Sequence, residues 1–183
     1  MSRTAFLRLE WSVSLALVAL ALAWAAWRGL PLVHPWRVTP RDVAAGVAAG
    51  ALLWLWIPVL FWMPDMQRLW KTVLAPFTST LGAADIVVIA LLSGVSEELF
   101  FRGVLLPEIG LVASSLIFGL LHALNRVYAV WAVLTGTGFG LLALYGGTLV
   151  TPVAAHVTYN LGALALLRHW QARGTAPEGG AHT

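Results

Sequence analysis

Two adjacent carboxylates and an arginine stand in "SGVSEELFFRG", residues 93–103, inside a stretch otherwise built to meet lipid. Each charge at the centre of a bilayer costs about 2.5–3.5 kcal/mol even on lenient insertion scales. Glu97, Glu98 and Arg102 therefore need a reason to be there. Residues four apart share a helix face, so Glu98 can pair with Arg102 along their own helix. Glu97 is turned about 100° from Glu98 and is left for a different partner. In the later apolar runs the polar side chains of interest are His122, His156 and Asn160. The segment "PEIG", residues 107–110, suits a turn and lies midway between Glu97 and His122. An antiparallel hairpin there would bring that carboxylate and imidazole to one depth, where they can hold and polarise a water. Polar Asn125-Arg126 follows His122 closely, so either the loop after His122 dips into the protein or the hairpin is offset. His156 and Asn160, again four apart, aim two hydrogen-bond donors at one point, as an oxyanion requires. Phe118 has the same spacing from His122 and is expected to pack beside it.

Each of these residues has a plainer reading alone. An intramembrane His or Asn commonly serves as interhelical hydrogen-bonding glue, and a Glu–Arg pair one turn apart can be purely structural. An unpaired Glu, two His and an Asn close together in the chain are harder to explain by packing.

The elements that must position them follow from composition. The chain has 183 residues, 60% of them hydrophobic and 10% charged, with a mean hydropathy of +0.83. Soluble domains carry about a quarter charged residues, so this is an integral membrane protein. With no cysteine, disulfides, thiolate catalysis and thiolate-bound zinc are excluded. The +3 net charge is spread along loops, which fits contact with anionic lipid and not nucleic acid.

A span needs about 20 apolar residues. Such runs cover about 11–27, 43–62, 85–107, 109–124, 127–144 and 149–170. The expected fold is all-α: a polytopic bundle of about six transmembrane helices with the active site inside it. The first run is read as a retained helix, not a cleaved signal peptide. The connection "MPDMQRLWKTVLAPFTSTLGA" has a middle suited to an amphipathic interfacial helix. Trp11, Trp36, Trp62, Trp70 and Trp170 fall near helix ends, as an aromatic belt would place them. With the N-terminus inside, Arg3, Arg8, Arg68, Lys71, Arg126, Arg168 and Arg173 lie on the inner side. Arg28, Arg37 and Arg41 lie outside, a bias that puts both ends in the cytoplasm. Residues 1–173 are expected to form one integral-membrane domain. "GTAPEGGAHT", residues 174–183, reads as a disordered tail in which His182 carries no signal.

The charged and polar residues also carry a family resemblance. "EELFFR" (Glu97 to Arg102) resembles the E-E-x-x-x-R motif of the CPBP intramembrane proteases, the group of the type II CAAX prenyl endopeptidases. "FGLLH" (Phe118 to His122) is similar to that family's F-x-x-x-H motif, and "HVTYN" (His156 to Asn160) to its H-x-x-x-N motif. The three occur in order over about residues 84–167. The resemblance implies an all-helical membrane endopeptidase, cutting a peptide bond near the membrane surface. It implies Glu97 as the general base on water, assisted by His122, with His156 and Asn160 as oxyanion hole and Glu98 and Arg102 in support. Its partners would be membrane lipid and a peptide or protein substrate, with or without an attached lipid. No cofactor is expected on this reading. Zinc is the alternative, with Glu97 or Glu98, His122 and His156 as available ligands; the presence of Asn160 beside His156 favours the metal-free form.

The chain is shorter than the prenyl endopeptidases, which leaves CAAX processing, peptide maturation and processing of C-terminal sorting signals all open. The expected location is a bacterial cytoplasmic membrane. Two other readings stand beside the peptidase. One is a non-catalytic binding or bacteriocin-immunity protein that keeps the motifs as a polar core. The other is a small transporter or proton relay, which leaves the His156/Asn160 pairing unexplained.

Overall fold

The computed structural model describes residues 2–32, 36 and 38–174, and among these no strand occurs. Arg37, His182 and the expected tail beyond Gly174 lie outside the described residues. The fold is a polytopic helical bundle. Its elements are α1 (Arg3–Arg28), α2 (Pro40–Trp54), α3 (Trp56–Leu60), α4 (Pro64–Leu69) and α5 (Ala75–Thr78), then α6 (Ala83–Phe100), α7 (Leu106–Leu121), α8 (Arg126–Gly146) and α9 (Val150–Arg173). Two π-helical turns, Trp70–Leu74 and Phe101–Leu105, join α4 to α5 and α6 to α7.

Among the described residues five helical segments are long and apolar enough to cross a membrane: Arg3–Arg28, Pro40–Leu60, Ala83–Leu121, Arg126–Gly146 and Val150–Arg173. The expected six counted residues 85–107 and 109–124 as two spans. Helical structure instead runs from Ala83 to Leu121, interrupted at Gly110 (φ 80°, ψ 172°). That backbone conformation is open essentially to glycine alone. A Cβ there would meet nothing within 4 Å, so the demand is conformational, not spatial. The chain reverses at this point: Phe101 and Phe118 touch edge to face with centroids 5.0 Å apart. The returning limb, residues 111–121, is only about 16 Å long, roughly half the hydrocarbon thickness. It stops at His122 (φ −100°, ψ 12°), and the loop that follows is docked into the protein. Asn125 donates from Nδ2 to the carbonyl of Asp65 (2.9 Å) and caps α8 by accepting from the Tyr128 amide (2.8 Å). Of the two arrangements open from sequence, the dipping loop is the one adopted.

α1 starts earlier than expected because Ser2 caps it, accepting from the Ala5 amide (3.2 Å). Arg3 then forms a two-point clamp on Asp85 at the start of α6, with Nε–Oδ2 2.7 Å and Nη2–Oδ1 2.6 Å. The break between α2 and α3 follows from Pro58, which has no amide to donate to residue 54. The interfacial-helix segment is helical, but Met66, Leu69 and Trp70 are buried within the protein. Trp70 is therefore no belt residue: it packs edge to face on Phe61 (5.9 Å) and Trp170 (6.3 Å). Trp11 and Trp62 remain exposed, as a belt requires.

α2 and α9 lie against one another along Gly46 and Gly50. A Cβ on Gly46 would collide with the Thr151 carbonyl, and one on Gly50 with the Ala155 carbonyl. One turn further, Trp54 lies over Gly162 and donates to the Thr158 carbonyl (3.1 Å). Small residues one turn apart allow this close backbone approach where lipid supplies no hydrophobic drive. Gly50→Leu is accordingly expected to cost at least about 3 kcal/mol, the upper end of overpacking costs. Gly138→Ala is the control, because a Cβ at this exposed site meets nothing within 4 Å. Reversible unfolding in mixed micelles measures both, with Gly138→Ala expected within about 0.5 kcal/mol of wild type.

Candidate active site

α6 supplies both carboxylates, and the two go to different places. Glu98 is fully buried. Its Oε1 accepts from Arg102 Nη1 (2.8 Å) one turn on and meets His156 Nδ1 at 2.7 Å from α9. Arg102 is also buried and donates its other nitrogen, Nη2, to the Gly136 carbonyl of α8 (2.7 Å). Its guanidinium lies over the rings of Phe118 (4.8 Å) and Phe139 (5.6 Å). Stacked arginine keeps several donors usable while its faces contact aromatic rings, which suits a buried cation. Glu98 thus ties α6 to α9, and Arg102 ties α6 to α8. The contact with His156 spans 58 residues and had no local signature.

Glu97 faces the other way. Its Oε2 lies 3.6 Å from His122 Nε2 and 4.0 Å from His156 Nε2. That oxygen is buried and, among the described residues, has no hydrogen-bond partner. The two imidazoles are held alike. His122 has Nδ1 2.8 Å from the Phe118 carbonyl and stacks on the Phe118 ring (4.3 Å, 27°). His156 has Nδ1 on Glu98 and stacks on Phe139 (4.9 Å, 22°). A carbonyl only accepts, so His122 Nδ1 carries its proton and donates. A neutral His122 ring therefore turns an Nε2 lone pair toward Glu97. Two acceptors 3.6 Å apart cannot bond each other; a small donor between them can serve both. Asn160 donates from Nδ2 to Ser93 Oγ (2.8 Å), and Ser93 donates to the Ile89 carbonyl (2.8 Å).

Glu97, His122, His156 and Asn160 all line one cavity of about 630 Å³. Glu98 and Arg102 sit behind it, outside its lining. Tyr128, Trp131 and Tyr159 supply aromatic wall, and Trp131 Nε1 donates to Tyr159 Oη (2.7 Å). Among the polar lining residues that sequence reasoning missed are Ser93 and Glu10. Glu10 carried a signal, a carboxylate within the apolar N-terminal region, but it fell just outside the first run as drawn from Trp11.

The zinc alternative can be tested on the donor set. Ligand atoms about 2.0–2.2 Å from one zinc stand about 3.3–3.6 Å apart in a tetrahedron. Glu97 to His122, at 3.6 Å, reaches the edge of that range, and Glu97 to His156, at 4.0 Å, lies outside it. Among the described residues no group of three His, Asp or Glu side chains has the arrangement of a metal site. The donors thus stand somewhat wider apart than one tetrahedral zinc would hold them.

Fold and site together define a polytopic helical membrane protein with a carboxylate–imidazole cluster inside its bundle. Residues 78–162 match the family described as "Type II CAAX prenyl endopeptidase Rce1-like". The resemblance to the CPBP family is thereby shown over the segment that carries Glu97, His122, His156 and Asn160. A curated relative, the uncharacterized protein YpbD of Bacillus subtilis (strain 168), is 40% identical over 76 residues, 39% of each chain. The chain thus spans about two fifths of the length of this relative. No solved structure matches it.

Proposed function

We propose that the protein is an intramembrane endopeptidase that hydrolyses a peptide bond of a membrane-embedded or membrane-anchored substrate. The observation that carries this is the buried, unpartnered Oε2 of Glu97, held 3.6 Å from one imidazole nitrogen and 4.0 Å from another within the cavity. A water between Glu97 and His122 donates one proton to each acceptor. As its oxygen attacks the substrate carbonyl carbon, one proton passes to Glu97. The carbonyl oxygen takes the negative charge and faces the His156 and Asn160 side. Collapse breaks the C–N bond, and Glu97 returns the proton to the leaving amine.

His156 donates from Nε2 only when its ring carries both protons, because Nδ1 serves Glu98. Asn160 keeps a second amide hydrogen beyond the one given to Ser93.

The test uses the chain reconstituted in bilayers with a panel of single-span peptides, in water enriched in ¹⁸O. One heavy oxygen is expected in the new carboxyl terminus of a cleaved peptide, identified by mass. Activity is expected to stay within about twofold after exhaustive chelation, because on this reading Glu97 and not a metal activates the water. Loss of activity on chelation, restored by zinc, would move water activation from Glu97 to a metal. Absence of any cleaved product across the panel would favour the non-catalytic reading.

A further inference from the structure

We propose that Glu10 is a specificity-determining residue whose carboxylate binds a cationic group of the substrate, a lysine or arginine side chain or an amino terminus, about a turn and a half of helix from the scissile bond. This rests on the hydrolytic reading of the cavity.

α1 lies beside α6 and runs in the same direction. At one end Arg3 is clamped to Asp85, 82 residues away. At the other, Ala21 and Ala25 are buried in the cluster that holds Leu99, Phe101 and Val104. The same offset sets Glu10 level with about residue 92, roughly a turn and a half before Glu97. Phe6, one turn earlier on the same face, also lines the cavity and packs on Phe77 (4.3 Å). Glu10 itself lines the cavity with Ser93, Glu97 and Asn160.

Among the described residues Glu10 has no hydrogen bond or ion pair. Arg3 is taken by Asp85, and Arg102 by Glu98 and the Gly136 carbonyl. No described Lys or Arg lines the cavity. An intramembrane carboxylate with no counter-ion of its own is costly, and such groups mark substrate or ion pathways. The cavity thus presents two carboxylates, two imidazoles and a wall of Tyr128, Trp131 and Tyr159. Aromatic faces add attraction for a cation once water is excluded. Glu97 has a job in the chemistry; Glu10 has only a ligand to meet.

The experiment uses single-span peptides in nanodiscs, identical except for one Lys or norleucine stepped through the positions flanking the cleaved bond. Binding is measured on the full chain carrying E97Q, and turnover on the chain with Glu97 intact. At one position Lys is expected to tighten binding about tenfold over norleucine. With E10Q added the ratio should fall to within about twofold, and E10K should shift the preference to a peptide carrying Glu at that position. In turnover the preference should reside in KM, not kcat. Three results would overturn the proposal: no position at which Lys is preferred, a preference that survives E10Q, or an E10Q effect that lowers kcat equally for Lys and norleucine peptides. A Lys preference in binding without cleavage of any peptide would sink the hydrolytic reading and leave the cation site standing.

Discussion

Glu97→Gln is expected to lower kcat for peptide hydrolysis by roughly a thousandfold, the range of general acid–base catalysis, with KM changed less than about threefold. The substitution keeps the shape of the side chain and removes the group that receives the water's proton. A carboxamide also places a donor where an acceptor stood, so it can bond His122 Nε2 once the present 3.6 Å separation closes to hydrogen-bond distance. The water is then displaced as well as left without a base. Stability should move the other way. Glu97 Oε2 is buried without a partner, and neutralising such a group removes a desolvation cost. Thermal unfolding of Glu97→Gln is therefore expected at or above the wild-type midpoint. Slow catalysis by a protein at least as stable as wild type separates a catalytic carboxylate from a structural one. Cleavage at near wild-type rate would show that Glu97 is not the base.

Arg102→Met should have the largest effect on stability, about 3–5 kcal/mol, the cost of leaving one member of a buried pair without the other. Glu98 is fully buried, and with Arg102 gone it keeps only His156 among its present partners. The Gly136 carbonyl also loses its donor. Glu98→Leu/Arg102→Met removes both charges, and replacing a buried pair by apolar side chains of similar size is often nearly neutral. The double variant is thus expected to unfold later than Arg102→Met alone. It should remain inactive, because His156 Nδ1 then has no carboxylate to orient the ring. Unfolding in mixed micelles and the cleavage assay together decide this. Additive losses in the double variant would mean that Glu98 and Arg102 are not coupled.

Much of the site's local geometry could be read from spacing. The pairing of Glu98 with Arg102 follows from one helical turn, and Phe118 beside His122 from another. The reversal near residues 107–110 follows from the turn residues there and from the polar groups that must meet at one depth. What spacing could not supply is which helices become neighbours. The contact between Glu98 and His156 depends on α9 lying against α6, and Glu10 reaches the cavity only because α1 runs alongside α6. The helix count was obscured for a related reason. Apolar composition distinguishes lipid-compatible residues from others, but not a full crossing from the half-length limb 111–121. Trp70 shows the same limit: a tryptophan near a helix end can face the interface or its own protein, and its neighbours decide.

The placement of Arg102 one turn after Glu98 also bears on how the chain is made. His156 lies 58 residues after Glu98, so α6 leaves the ribosome and meets the membrane before α9 has been synthesised. At that moment Glu98 must find its counter-charge within its own helix or enter lipid alone. The i, i+4 pair offers partial neutralisation as soon as that turn has formed, and α9 later joins an acceptor that is already oriented. Glu97 has no such companion, so the carboxylate assigned to catalysis is also the harder one to insert.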